Sequence, residues 1–218
     1  MVIKYAKRKY VAKAPKVTIA TKKYVKRVMD KADEDKYYDF SLNIAGGTVS
    51  TSTTGSVTLM SGVQQGLTVG GRIGEVISPK SLAVRIVTAS LGNVADYTSL
   101  RCIIFQDRQI RTSTLPTISD LLENVSTLSC LNHAGLNASR FNILIDHLFL
   151  LNQNTPTVGI DGSRSSLFKT FKLSGKICYT NPTTGTEKGN IYVALLSDSA
   201  TINAPAFNIY SRLLYEDC

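Results

Sequence analysis

"RFNILIDHLFLLN", residues 140–152, carries Phe141, Ile143, Ile145, Phe149 and Leu151 at every second position, with His147 in the same register. A period of two sustained over a dozen residues describes a β-strand with one face buried; a helix would repeat its apolar residues at three and four. Outward from this segment the same grammar recurs. "YYDFSLNIA" (37–45), "GSVTLMSGV" (55–63), "EVISPKSLAVRIVTAS" (75–90) and "YTSLRCIIFQDR" (97–108) precede it. "LFKTFKLSGKICYT" (167–180), "GNIYVALLSD" (189–198) and "PAFNIYSRLLYED" (205–217) follow it. Pro79 marks a bend or a sheet edge, and Gly175 a bulge or kink. Between the strands lie turn-forming runs such as "LGNVAD", "NTPTVGIDGSRSS" and "NPTTGTEKG". "TISDLLENV" (117–125) reads as a short helix or turn inside a long connection. Eight strands joined by long irregular loops predict an all-β, eight-stranded antiparallel sandwich of the jelly-roll type. An up-and-down barrel would join its neighbours by short turns.

The charge is not shared evenly along this chain. Residues 4–27 hold ten basic side chains and no acid: Lys4, Lys7, Arg8, Lys9, Lys13, Lys16, Lys22, Lys23, Lys26 and Arg27. The whole protein has 25 Lys and Arg against 16 Asp and Glu, so the remainder carries 15 against 16, a net charge of −1. A block of like charge set apart from a neutral body reads as a tail that seeks a polyanion, and these ten residues are the candidate nucleic-acid-binding set. Residues 1 to about 18 are too polar to offset the entropy of ordering, which predicts disorder. From Thr21, a candidate N-cap, Tyr24, Val25, Val28, Met29 and Ala32 recur at helical spacing, predicting a short helix near 21–33. The domain boundaries that follow are a basic arm over 1–36 and a single body over 37–218.

Little in the sequence supports catalysis or cofactor binding. His147 follows Asp146 within a strand, so the two side chains face opposite ways and cannot form a dyad. "VGGRIG" (69–74) lacks both the spacing of a dinucleotide loop and the Lys-Ser/Thr end of a P-loop, and reads as a glycine-rich bend. Cys102, Cys130, Cys178 and Cys218 have no metal-type spacing; Cys102 and Cys178 read as small buried apolar residues. The acids of "DEDKYYD" (33–39) are expected to pair with neighbouring cations rather than to hold a metal. Asp107, Asp198 and Asp217 each follow a strand and are candidates for a subunit contact. No apolar run reaches the roughly 18 residues of a membrane-spanning helix, and no secretory pattern opens the chain. The expectation is a soluble, non-enzymatic protein of a reducing compartment, with no cofactor, no metal and no membrane insertion.

Several segments, in order, resemble one family. "TKKYVKRVMDKADEDKYYD", "QQGLTVGGRIGEVISPKSLAVRIV", "SLRCIIFQDRQ", "SRFNILIDHLFLL", "FKLSGKICYT", "GNIYVALLSD" and "YSRLLYED" resemble the single-jelly-roll capsid proteins of satellite tobacco necrosis virus and of circular single-stranded DNA (CRESS-DNA) viruses. The resemblance implies a coat protein that self-assembles into a T=1 icosahedral shell of sixty subunits, with arms turned inward onto viral single-stranded nucleic acid. It implies residence in the virion; the host nucleus stays open as a compartment during assembly, "KRKY" of the arm being too short and too common to count as a nuclear signal. DNA is the cargo that the CRESS-DNA likeness implies; eight of the ten arm cations are Lys rather than Arg, closer to the satellite-virus type, which keeps RNA open. The alternative is a cellular single-stranded nucleic-acid-binding β-barrel protein with a basic tail, which would carry cations and aromatics on a groove of its body.

Overall fold

The computed structural model describes residues 21–24, 35–44, 56–68, 70–90, 97–109, 115–132, 139–152, 164–180, 186–198 and 205–218. The chain divides after Glu34 into two units, and residues 35–218 form the body.

The body is an all-β jelly roll. Its strands in chain order are β1 (Lys36–Ile44), β2 (Ser56–Leu59), β3 (Val76–Ala89), β4 (Tyr97–Asp107), β5 (Phe141–Asn152), β6 (Arg164–Lys172), β7 (Ile177–Tyr179), β8 (Thr186–Lys188), β9 (Ile191–Ser197) and β10 (Ala206–Asp217). One sheet runs β1-β10-β3-β7-β8 with β6 also on β3, and the other runs β2-β9-β4-β5. The pairs are all antiparallel, and successive strands cross repeatedly from one sheet to the other, which is what the long connections are for. The strand predicted over 167–180 is two: β6 and β7 follow one another along β3, parted at Gly175, whose φ of 93° favours glycine. Pro79 sits in β3 between the segments paired to β6 and β7, at a register shift against Leu214/Tyr215, so its missing N–H interrupts no regular ladder there.

Facing side chains of the two sheets fill the main core. Val84 and Ile86 of β3, Leu100, Cys102 and Ile104 of β4, Val193 and Leu195 of β9, and Ile209 and Leu213 of β10 are all essentially inaccessible. Burying each of the larger ones contributes roughly 1.5–3 kcal/mol. A second apolar cluster lies on the outside of the four-stranded sheet, where Ile103, Phe105, Tyr192, Ala194 and Leu196 meet Ile118, Leu121 and Leu122. Phe105 packs edge-on to Phe141 at 5.2 Å and stacks with Tyr192 at 5.5 Å. The covering segment is built on a helix, Ile118–Leu121, shorter than the 117–125 expected; Asp120 accepts the Thr117 N–H at 2.8 Å at its start. The connection thus forms a lid over the sheet, and β4 and β9 are buried on both faces.

This second core corrects one reading of the opening segment. Phe141 and Ile143 do not share a face with Ile145, Phe149 and Leu151. A β-bulge opposite Ile104/Phe105 inserts Leu144, and the parity flips there. Phe141 and Ile143 join the outer cluster, while Leu144, Ile145, Phe149 and Leu151 join the main core. His147 rests edge-on against Phe149 with ring centroids 4.4 Å apart.

Candidate nucleic-acid interface

Of the ten arm cations, the structure describes Lys22 and Lys23. They lie in the helical residues 21–24 and are exposed, as is Tyr24. The remainder of the helix expected near 21–33 falls outside the described residues, as do Lys4, Lys7, Arg8, Lys9, Lys13, Lys16, Lys26 and Arg27.

The first residues of the body are fixed by ion pairs. Lys80 Nζ lies 2.6 Å from Asp35 and also contacts Glu216. Lys36 Nζ donates to Asp217 at 2.6 Å and to the Gly71 carbonyl at 3.1 Å. Arg212 grips Asp39 through two hydrogen bonds of 2.7 Å. Hydrogen bonding to Asp35, then to Glu216, raises the Lys80 pKa, and the bond from Arg212 holds the Asp39 carboxyl below its ordinary value. Asp35 and Asp39 therefore pair with cations, as expected for the acids of 33–39, of which Asp33 and Glu34 fall outside the described residues. Among the described residues no three His, Cys, Asp or Glu side chains gather as a metal site.

The other acids singled out are spent within the subunit. Asp107 holds Arg140 through two guanidinium nitrogens, the shortest contact being 2.6 Å, with both side chains buried and the guanidinium 4.3 Å from the Phe141 ring. Asp198 accepts from the Ser99 N–H at 2.8 Å and its hydroxyl at 2.6 Å, and Asp217 takes Lys36. Each of the three is thus hydrogen-bonded within its own chain. Asp146 is paired with Arg101 through two bonds of 2.7 Å while His147 faces the opposite way. The glycine-rich bend hides a role that its motif does not reveal. Arg72 is fully buried, donates to the Val63 carbonyl at 3.0 Å, and lies 4.2 Å from the centre of the Tyr179 ring. Tyr179 in turn donates to the Ser61 carbonyl at 2.7 Å, and burial pushes its pKa far up against the opposing pull of Arg72. Gly71 is required because a Cβ there would stand 2.6 Å from the Gly66 carbonyl oxygen.

A feature the sequence reading passed over lies on the outer face of the β1-β10-β3-β6 region. Cross-strand register aligns Phe168, Arg85, Tyr210 and Ser41 in one row, and Thr170, Ala83, Arg212 and Asp39 in the next. Phe168, Tyr210 and Tyr37 remain 64%, 56% and 42% exposed. Arg85 lies 5.7 Å from the Phe168 ring and Arg212 lies 4.6 Å from that of Tyr37. The signal was present as aromatics and arginines on the polar parity of three strands, positions normally read as plain surface.

Two facing antiparallel sheets with crossovers between them define a jelly-roll sandwich. The chain belongs to the satellite tobacco necrosis virus coat protein family, whose model matches residues 6–217. It is a viral coat protein, and its role as such is structural. No curated protein matches it. Among solved structures, the Desmodium yellow mottle tymovirus aligns over 85% of this chain and 88% of its own at 8% identity and a TM-score of 0.34. The dimeric latent PorU of Porphyromonas gingivalis aligns over 84% of this chain at 8% identity and a TM-score of 0.38, and this chain spans 13% of its length. Likenesses this distant carry no functional argument. Membership of a coat-protein family displaces the alternative of a cellular single-strand-binding barrel.

Proposed function

We propose that sixty copies of the body close into a T=1 icosahedral shell and that the arm, residues 1–36, packages single-stranded viral nucleic acid, DNA in the first instance. The carrying observation is the separation of charge: ten cations and no acid over residues 4–27, against −1 for everything after them. Near-neutral bodies can pack without mutual repulsion. The arms, about 600 positive charges per shell, would repel one another unless phosphate filled the interior. Lys4, Lys7, Arg8, Lys9, Lys13, Lys16, Lys22, Lys23, Lys26 and Arg27 contact phosphate without reading bases, so packaging is sequence-tolerant and driven by counterion release. Leu67, Leu128 and Leu150, exposed at 96%, 79% and 76%, supply apolar surface for contacts between subunits. The particle is the protein's place of residence.

Electron microscopy of the purified protein, with single-stranded DNA or RNA and across a salt series, tests this. Closed particles of uniform size are expected, and open dimers or monomers under every condition would overturn the reading. The logarithm of the binding constant should fall against the logarithm of salt with a slope of up to about −7 if all ten cations meet phosphate.

A further inference from the structure

We propose that the outer face of the larger sheet is a second contact surface for single-stranded nucleic acid, where bases stack on Phe168 and Tyr210 while Arg85, on the strand between them, meets the backbone. The inference concerns the same cargo as the proposed packaging and rests on that reading for its setting, but it involves none of the arm residues.

The two sheets treat their outer faces differently. The four-stranded sheet has its outer face covered by the 118–131 segment, whereas the larger sheet keeps exposed aromatic rings on its own. Strand alternation places Arg164, Phe168 and Lys172 of β6, Arg85 of β3, Tyr210 and Arg212 of β10, and Tyr37 and Asp39 of β1 on this face. Four cations thus stand against one carboxylate, Asp39, which is paired with Arg212, across rows that span residues 37–43, 81–89, 164–172 and 206–214, in a body (residues 35–218) of 14 Lys and Arg against 13 Asp and Glu. A shallow depression of about 640 Å³ lies among Asp39, Arg85, Val87, Phe168, Tyr210 and Arg212. Phe168 and Tyr210 flank β3 on its two sides, two strand spacings or roughly 10 Å apart, with Arg85 on the strand between them. One base against each ring leaves a phosphate near the central guanidinium.

Charge selects the occupant. The protein's own arm is cationic and would be repelled by this face. A second copy docking through the same face would oppose the same four cations. A polyanion bearing planar aromatic groups complements both features, and alternating cations and aromatic platforms are how sequence-tolerant grooves hold unpaired strands. A duplex would offer its phosphates but keep its bases stacked away from the rings.

The test uses the full-length protein, an oligothymidylate of about 20 nucleotides, and an abasic deoxyribose-phosphate strand of the same length. The unaltered protein should bind the oligothymidylate more tightly than the abasic strand. F168A/Y210A should reduce that preference by at least about fivefold while leaving abasic binding unchanged, since both rings are exposed and stacking is worth roughly 1–3 kcal/mol per base. The chain has no Trp, so F168W adds a lone indole, whose emission should be quenched by oligothymidylate and not by the abasic strand. An unchanged preference in F168A/Y210A, or an indole indifferent to bound oligothymidylate, overturns the proposal. Replacing the ten arm cations by Gln should weaken both strands by the same factor. If it weakens neither, the arm reading fails while the face reading still stands on the ratio.

Discussion

Replacing Arg140 by Ala isolates a deeply buried ion pair. Its side chain is 2% accessible and that of its partner Asp107 is 6%. The carboxylate also accepts the Gln109 N–H at 3.1 Å, a bond too weak to neutralise a buried charge. Removing one member of such a pair costs about 3–5 kcal/mol, because the survivor stays desolvated without its counter-ion. R140A also removes the guanidinium lying 4.3 Å from the Phe141 ring, a contact worth roughly 0.5–2 kcal/mol. Against a typical domain stability of about 5–15 kcal/mol, this is a large share. With a urea dependence of about 2 kcal/mol per molar, the unfolding midpoint of dissociated subunits should drop by roughly 2–3.5 M. R212A is the internal control. Its pair with Asp39 is equally well aligned but 60% and 52% accessible, so solvent screens it and the midpoint should hardly move. The double change R140M/D107L should recover most of the loss, since no charge is then stranded. A midpoint for R140A no lower than that of R212A would refute the reasoning.

Further expectations follow from single positions. G189A should destabilise strongly, because φ is 79° and the new Cβ would lie 2.1 Å from the Lys176 carbonyl oxygen; G175A, at φ 93° in open space, should lose only about 1–3 kcal/mol of backbone strain in denaturation experiments. Burial raises the Tyr215 hydroxyl to about 12 and Tyr179 further, so both favour the protonated, folded state. Their contribution is whole below the ordinary tyrosine value of about 10 and is lost as pH rises through about 12; phenolate absorbance should show late-titrating tyrosines appearing together with unfolding. Cys130 and Cys218 are exposed and should react promptly with a thiol reagent, whereas buried Cys102, with its pKa driven up by desolvation, should react only on unfolding.

The strands were legible because one-sided burial writes itself into alternation, as in "YYDFSLNIA" of β1 and the closing segment of β10. Alternation failed where a second layer intervened. Residues 98–107 are buried on both faces, so β4 reads as a nearly continuous apolar run, and the inserted Leu144 inverts the parity of β5 without any local mark. Arg72 was hidden for another reason. A buried guanidinium satisfied by carbonyls and an aromatic ring comes from distant segments, and "GGRIG" itself announces only a turn. The ten arm cations were plain from composition, since a charge block needs no fold to be seen. The row of Phe168, Arg85 and Tyr210 was not, because it exists only once three strands are placed in register.

The account depends most on the arm holding cargo behind a wall that stands without it. Neutralising all ten cations of residues 4–27 to Gln and assaying nuclease-protected nucleic acid in purified particles tests this directly. Closed shells with little or no protected nucleic acid are expected; shells still holding as much as the unaltered protein would contradict it.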